Sequence, residues 1–548
     1  METKIEKHIL KNHSQKMKNT AWILGGILLL AFLLRVCPLK DLNHSGLSFG
    51  EVQMMRHAAL PLSEIVSFGI KDQGPLKFHL LHAVLYLGRD EFLLRLPALF
   101  FDLAAILLVF YLGGMLFDRK TGLLACFFMA VSPWHIHYAT LAKSYPLYIF
   151  LMLASSFFLY RAIKTSNIRD WVFFTMASLF AFYSFYPSII VLAAQVCWFF
   201  LCYGRRSDLI KRLGISLGLF IAMIAPWWHR LMVAFESKRY WGNNRWGMQG
   251  GEIWEALRDH LGGIAGPLPW GIFIFVLSFV WIFYFQKKKS QAIFLLALVV
   301  IPISFYIFCY YVLHLSIAPR YFLLSYPFFL LMAASGIASW PHWAGRLTGI
   351  VIFLMPLCLY GFYQAGVIKG NYIPSNYLRR TEDFSGITSL IKRNYTALDF
   401  VVVERAPSIF GIQYYLDKTN KSPVTTLRKN SGPKYFMYTD SQITLYGVDG
   451  ELPLLKSLAA DGRLLVVDID GHIGGWEGGD AIISWLKSNA YRIEHDYGAN
   501  FYFISPPSDI SKTYKDSSAI ARQKLFSESR VLGHLIYPFN KEWSLHEK

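Results

Sequence analysis

The chain has 548 residues, of which 54% are hydrophobic, 17% aromatic and only 16% charged. A soluble protein carries about a quarter charged residues, so a purely soluble domain is excluded; runs of about 20 apolar residues, each long enough to cross a bilayer, recur through the first two thirds. The net charge of +18 is spread among these runs rather than gathered in one basic domain, which argues against nucleic-acid binding and fits both cytoplasmic Lys/Arg loops and attraction to an anionic partner such as a lipid phosphate.

The N-terminus, METKIEKHILKNHSQKMKNT, is basic and leads into AWILGGILLLAFLLRVCPL. No small-residue cleavage site follows, so it reads as a retained first span and not a cleaved signal. About eleven spans are expected, near 20–38, 93–117, 121–139, 145–163, 171–187, 187–203, 213–230, 268–286, 291–313, 321–339 and 347–365. The Lys/Arg-rich linkers DRKTG, GRRSDLIKR and QKKKS fall on alternate sides, as positive-inside orientation requires. The N-terminus is then cytoplasmic, and an odd span count puts the C-terminal part outside. Cys37, Cys126, Cys197, Cys202, Cys309 and Cys358 all lie in or beside apolar spans, so no disulfide framework is indicated.

Two long loops, 39–92 and 229–267, are expected on the outer side, where the chemistry should face. In the first, EVQMMRHAALPLSEIVSFG places Val52, Met55, Ala59 and Leu62 at helical spacing. That predicts an amphipathic helix lying on the membrane surface, with Glu51 at the dipole-favoured N-terminus. Glu51 is either a helix-end stabiliser or a catalytic carboxylate. The second loop mixes Arg245 with Trp and Tyr, a composition shared by sugar sites and interfacial aromatic belts. Asp102 lies inside a span, where an ionisable group is a functional candidate; its seven-residue spacing also fits pairing with Arg95. His135 and His137 beside Trp134 read as an interfacial aromatic cluster more readily than as metal ligands. Asp468 and Asp470 in VVDIDGHIGG read as a strand end and turn.

Beyond residue 366 strand and helix patterns alternate. DFVVVER, GRLLVVDID and the pair in YRIEHDYGANFYFISP read as strands; DFSGITSLIKRN, SIFGIQYYLDK and GGDAIISWLKSN read as helices. The fold class is therefore an α-helical polytopic membrane domain, 1–365, followed by a soluble α/β domain, 366–548. The stretch 508–548 is polar and expected to be loosely ordered.

Four stretches carry a family resemblance: LSFGEVQMMRHA, DQGPLKFHLLHAVLYLGRDEFLLRLPALFF, RKTGLLACFFMAVSPWHIHYATLAKSYPL and APRYFLLSYPFFLLMAASGI. In this order they resemble bacterial relatives of protein O-mannosyltransferases and lipid A aminoarabinose transferases, which are polyprenyl-phosphate-sugar-dependent glycosyltransferases of the GT-C fold. YLRRTEDFSGITSLIKRN resembles the start of the soluble domain in some members. The chain departs from the family pattern at Gly50, where an Asp precedes the Glu; at Leu141, Ala142 and Lys143, where Glu-Ala-Arg is frequent; and before Pro75, where Gln73 and Gly74 replace a His or Lys.

The resemblance implies transfer of a sugar, with inversion, from a polyprenyl phosphate to an acceptor hydroxyl at the outer face of a bacterial-type cytoplasmic membrane. A carboxylate, Glu51 or Asp72, would take the acceptor proton, and Arg320 with Tyr321 and Lys143 would meet the leaving phosphate. Arg56, Gln73 and Arg245 complete the expected substrate-binding set. The acceptor would be an envelope glycan, lipid or protein, among membrane lipids. No cofactor is specified, and a divalent cation stays open. The alternative is a catalytically degenerate member that binds lipid-linked sugar or assists envelope polysaccharide assembly, which Gly50 favours.

Overall fold

The computed structural model describes residues 2–41, 46–67, 74–88, 90–233, 235–236, 288–313, 315, 319–340, 342–365, 383–394, 400–404, 409–416, 424–429, 434–439, 444–448, 452–469, 479–496, 499–505 and 529–535. Its contacts divide the chain into two compact units, one formed by Met1–Lys40, Ser63–Leu81 and Phe92–Arg379, the other by Asp41–Leu62, His82–Glu91 and Arg380–Lys548. The loop 39–92 is thus shared between them, a division that the hydropathy pattern does not reveal.

In chain order the helices of the first 365 residues are α1 (Glu2–Asp41), α2 (Phe49–Ala58), α3 (Leu62–Ser67), α4 (Leu76–Leu87), α5 (Glu91–Leu116), α6 (Arg119–Val131), α7 (Pro133–Ala139), α8 (Tyr145–Thr165), α9 (Ile168–Ser184), α10 (Ile189–Tyr203), α11 (Ser207–Ile224), α12 (Lys289–Tyr311), α13 (Tyr326–Ala338) and α14 (Trp343–Gln364). Among the described residues six segments are long and apolar enough to cross a membrane: Lys18–Cys37, Glu91–Leu116, Tyr145–Thr165, Tyr186–Tyr203, Ser207–Val233 and Lys289–Cys309. The expected span 121–139 is broken, because Ser132 in an extended conformation ends α6 and caps α7, and Pro133 suits a first helical turn, where its missing N–H is no loss. The expected span 268–286 lies outside the described residues.

The first unit is built as membrane helices are. Large apolar side chains such as Leu201, Ile215, Ile221 and Met355 point outward, a surface suited to hydrocarbon and not to water. Inside, α8 and α9 form a tight hairpin through Ser166, whose left-handed backbone (φ 53°) ends α8. Polar side chains join neighbouring helices. Ser155 Oγ meets Ser178 Oγ at 2.8 Å and donates to Gln195 Oε1 at 3.1 Å, and Gln195 Nε2 donates to Ser156 Oγ at 2.9 Å. Such bonds join helices that hydrophobicity alone does not drive together in lipid. This is a multi-pass α-helical membrane protein.

The C-terminal part is an eight-stranded mixed sheet with helices. Its strands are β1 (Phe400–Glu404), β2 (Val424–Lys429), β3 (Lys434–Thr439), β4 (Thr444–Val448), β5 (Leu464–Ile469), β6 (Ala490–Asp496), β7 (Ala499–Ile504) and β8 (Ser529–Leu535), in the order β6-β7-β5-β1-β4-β3-β2-β8. Strand β1 runs parallel to β4 and β5, and the remaining pairs are antiparallel. The wholly buried β5 is the apolar run expected of a strand covered on both faces. The helices are α15 (Phe384–Arg393), α16 (Ile409–Leu416), α17 (Leu452–Asp461) and α18 (Gly479–Asn489). Each strand and helix read from the sequence here is present. The polar stretch 508–548, expected to be loose, contributes edge strand β8, paired with β2.

Candidate active site

In the second unit, α2 is set by its own N-terminus. Ser48 is extended (φ −68°, ψ 160°), and Glu51 Oε2 accepts from the Ser48 backbone N–H and hydroxyl, both at 2.9 Å. This reciprocal arrangement satisfies donors that a helix start leaves open, and the carboxylate sits where the helix dipole favours negative charge. Glu51 is 1% exposed. Val52 and Met55 are buried as the apolar spacing requires, whereas Leu62 is 53% exposed. Arg56 and His57 are buried as well, and His57 Nδ1 meets the Gln53 carbonyl at 2.6 Å. Helix α2 therefore differs from the surface-lying helix expected: it packs against α16, and its charged side chains are buried along with its apolar ones.

In the first unit the break between α6 and α7 organises a buried polar cluster. Arg35 Nε is 2.5 Å from Asp102 Oδ2, and His135 Nδ1 is 3.1 Å from Asp102 Oδ1. Arg35 also donates to the Ala31, Ala130 and Met129 carbonyls at 3.1, 2.8 and 3.3 Å. The Met129 and Ala130 carbonyls stand at the end of α6, so the guanidinium satisfies groups that the helix leaves open there, while Ala31 lies one turn back on α1. The His135 ring stacks on Tyr326 at 5.4 Å, and Tyr326 hydroxyl meets Ser132 Oγ at 2.7 Å. Arg35, Asp102 and His135 are each at most 1% exposed. Asp102 thus takes Arg35 and His135 as partners in place of the expected Arg95, and His135 is part of an ionic cluster as well as an aromatic one.

Beyond α7 the chain makes a tight turn. Thr140 Oγ1 donates to the His137 carbonyl at 2.8 Å, and Lys143 N–H reaches the Leu141 carbonyl at 2.7 Å. Lys143 is half-buried in an otherwise buried segment. An aromatic row starts beside it: Tyr138 and Tyr145 rings lie 4.4 Å apart, Tyr145 and Tyr148 5.9 Å, Tyr148 and Phe185 4.6 Å, Phe185 and Tyr321 5.6 Å, and Tyr321 and Tyr306 5.7 Å. The row joins the neighbourhood of Lys143 to Tyr321, two of the expected substrate-binding residues. All six rings are buried, and between them they offer apolar ring faces and polar phenol hydroxyls. Arg320 lies in the short 3-10 turn Pro319–Leu324 that leads into α13; its side chain, with Asp72, Gln73 and Arg245, lies outside the described residues.

Sequence reasoning passed over Arg35, Tyr138, Tyr145, Tyr148, Phe185 and Tyr306. A guanidinium within the first span was the legible signal for Arg35; the row of aromatics has none, because tyrosines are common at membrane interfaces. Among the described residues there is no group of three His, Cys, Asp or Glu placed to hold a metal ion.

Residues 72–229 match the family model described as dolichyl-phosphate-mannose-protein mannosyltransferase. No curated protein matches the chain by sequence. Among solved structures, the apo ArnT from Cupriavidus metallidurans superposes with a TM-score of 0.51 at 11% identity, covering 90% of this chain and 100% of that one. The archaeal oligosaccharyltransferase AglB from Archaeoglobus fulgidus, in complex with an inhibitory peptide and a dolichol-phosphate, gives 0.51 at 10% identity, covering 91% and 75%. The match to the A. fulgidus oligosaccharyltransferase in complex with Zn and sulfate, at a TM-score of 0.48 and 11% identity, covers 71% of this chain and spans 61% of that one. The chain has the GT-C fold of membrane glycosyltransferases, with residues 72–229 matching the dolichyl-phosphate-mannose-protein mannosyltransferase family.

Proposed function

We propose that this protein is a membrane glycosyltransferase that moves a sugar from a polyprenyl phosphate to an acceptor hydroxyl, with inversion, at the extracytoplasmic face of a bacterial-type cytoplasmic membrane. The observation that carries the reading is the family match over residues 72–229, the stretch that holds Asp102 and His135 of the polar cluster, the Lys143 turn and most of the aromatic row. As the hydroxyl oxygen attacks the anomeric carbon, the bond to phosphate breaks and the hydroxyl proton must be taken up. Glu51 is the proposed base, with Asp72 as the second candidate carboxylate. The departing phosphate gains charge, and Lys143 and Arg320 are the proposed cations that lower the barrier for it. Tyr321 and its aromatic neighbours supply the proposed sugar platform, while Arg56, Gln73 and Arg245 are assigned to donor or acceptor binding. A divalent cation, if required, would be revealed by loss of turnover in chelator and its return with added Mg²⁺ or Mn²⁺.

A second reading has its own support. The hydrogen bonds from Ser48 to Glu51 give that carboxylate a structural task, and Gly50 removes a neighbouring acid, so a degenerate, lipid-sugar-binding subunit would keep Glu51 as well. Purified protein in nanodiscs, offered radiolabelled polyprenyl-phosphate sugars and mixed envelope acceptors, separates the two. Transfer with release of polyprenyl phosphate and an inverted linkage supports the enzyme. Saturable donor binding without transfer from any donor supports the degenerate subunit.

A further inference from the structure

Helix α2 is held at both ends by side chains that come from elsewhere in the second unit. At its entry, Asp383 Oδ1 accepts from the Gly46 backbone N–H at 2.7 Å and from Gly386 N–H, at the start of α15, at 3.0 Å. One residue on, the Tyr415 hydroxyl of α16 accepts from Leu47 N–H at 2.6 Å and donates to Glu91 Oε1 at 2.7 Å. At the exit, His82 Nδ1 meets the Ala58 carbonyl at 2.6 Å. One carboxylate and one phenol thus tie the lead-in to α2 and the first residue of α5 to the two helices that open the C-terminal domain.

The fit admits little slack. A Cβ on Gly46 would meet Tyr415 Oη at 2.6 Å, Ser385 Cβ at 2.7 Å and Ser385 N at 2.8 Å, and one on Gly411 would meet the Phe384 ring at 2.5 Å. Gly46 therefore lets the backbone approach α15 and α16 closely enough for both bonds to form. Leu47 and Leu60, on either side of α2, are fully buried. Burial pushes the Tyr415 hydroxyl well above its ordinary value, and the Glu91 carboxylate adds to this. It stays a neutral donor, and a bond from it to a carboxylate is of the stronger, charge-assisted kind.

We infer that Asp383 and Tyr415 are positioning residues for Glu51: the C-terminal domain holds the Ser48–Glu51 turn in the orientation that transfer requires, and is not an independent appendage. This rests on the proposed role of Glu51 for its kinetic part only. Hydrogen exchange and kinetics on the full-length protein in nanodiscs test it with Tyr415→Phe, which keeps the ring and loses the hydroxyl, with Asp383→Ala, and with Asp383→Asn, which keeps an acceptor oxygen.

Expected are exchange of amides 46–58 faster by about tenfold in the first two variants, the size set by one or two ordinary hydrogen bonds, unchanged exchange in β1 and β5, and wild-type behaviour in Asp383→Asn. In the same variants kcat falls with donor KM unchanged. Unchanged protection of 46–58 in both Tyr415→Phe and Asp383→Ala overturns the clamp. Faster exchange with full kcat overturns the positioning role. If wild type transfers no sugar, the proposed function fails, while the exchange result still decides whether the clamp exists.

Discussion

Arg35, Asp102 and His135 show how much a single side chain decides inside a lipid-facing bundle. A lone guanidinium or carboxylate there is costly, and the geometry offsets that cost through the pair at 2.5 Å and three carbonyls. Asp102→Ala should therefore lower stability by about 3–5 kcal/mol, because it strands Arg35, whereas Arg35→Leu combined with Asp102→Leu should recover most of the loss. Thermal unfolding of the solubilised protein checks this; a single variant no worse than the double would contradict it. At Ser48, loss of the cap in Ser48→Ala should cost about 1 kcal/mol, seen as faster amide exchange at the start of α2 with the sheet unaffected.

Elements obey the same physics over longer stretches. Gly74, which leads into α4, lies so close to α9 that a Cβ would meet the Tyr183 carbonyl oxygen at 2.0 Å. The neighbour is backbone and cannot swing aside. Gly74→Ala should thus destabilise by about 1–3 kcal/mol or more, measurable as a lower unfolding temperature and loss of monodisperse protein. At the Tyr415 clamp the dependence is on pH. The folded state raises the phenol above its ordinary value of about 10. The unfolded chain then gives up its proton first, and stability from this group, complete below about pH 10, falls as pH rises above that point. Urea unfolding of the wild type between pH 8 and 11 should show this loss, and Tyr415→Phe should lack that component.

How far the sequence was readable follows from the same forces. Apolar runs such as FVVVE and LLVVDI announce β1 and β5 because both faces are buried. Strands β2, β3, β4 and β8, with VTTLRK, KYFMYT, TLYGV and SRVLGHL, mix charged, polar and apolar residues, so periodicity leaves them unmarked. Glu51 was legible as a helix-end acid because the helical spacing of Val52, Met55, Ala59 and Leu62 begins just after it. The partners that bury α2 were not, since Asp383 and Tyr415 follow it by more than 300 residues, and no local pattern encodes so long a contact. Arg95 was the nearer partner for Asp102 on one helix; Arg35 wins because α1 brings it to the α6 terminus, where the Met129 and Ala130 carbonyls also need donors.

On the scale of the whole molecule, a helical GT-C bundle and a sheet domain divide loop 39–92 between them. The proposed base belongs to the unit that contains the sheet, and the aromatic row to the unit that contains the spans. The C-terminal segment 380–548 made alone would lack Asp41–Leu62 and His82–Glu91. Without α2 it uncovers buried side chains of α16, and it should elute as aggregate in gel filtration where the full chain is monodisperse. The central claim is that Glu51 is the base of a sugar transfer. Glu51→Gln is the sharpest probe because a glutamine at this helix position can still cap Ser48 while losing proton affinity. Initial rates of transfer from a labelled polyprenyl-phosphate sugar, measured for wild type and Glu51→Gln alongside exchange protection of 46–58, decide it. Predicted is a fall in kcat of about 10²–10⁴-fold with protection kept; transfer by Glu51→Gln at the wild-type rate would contradict it.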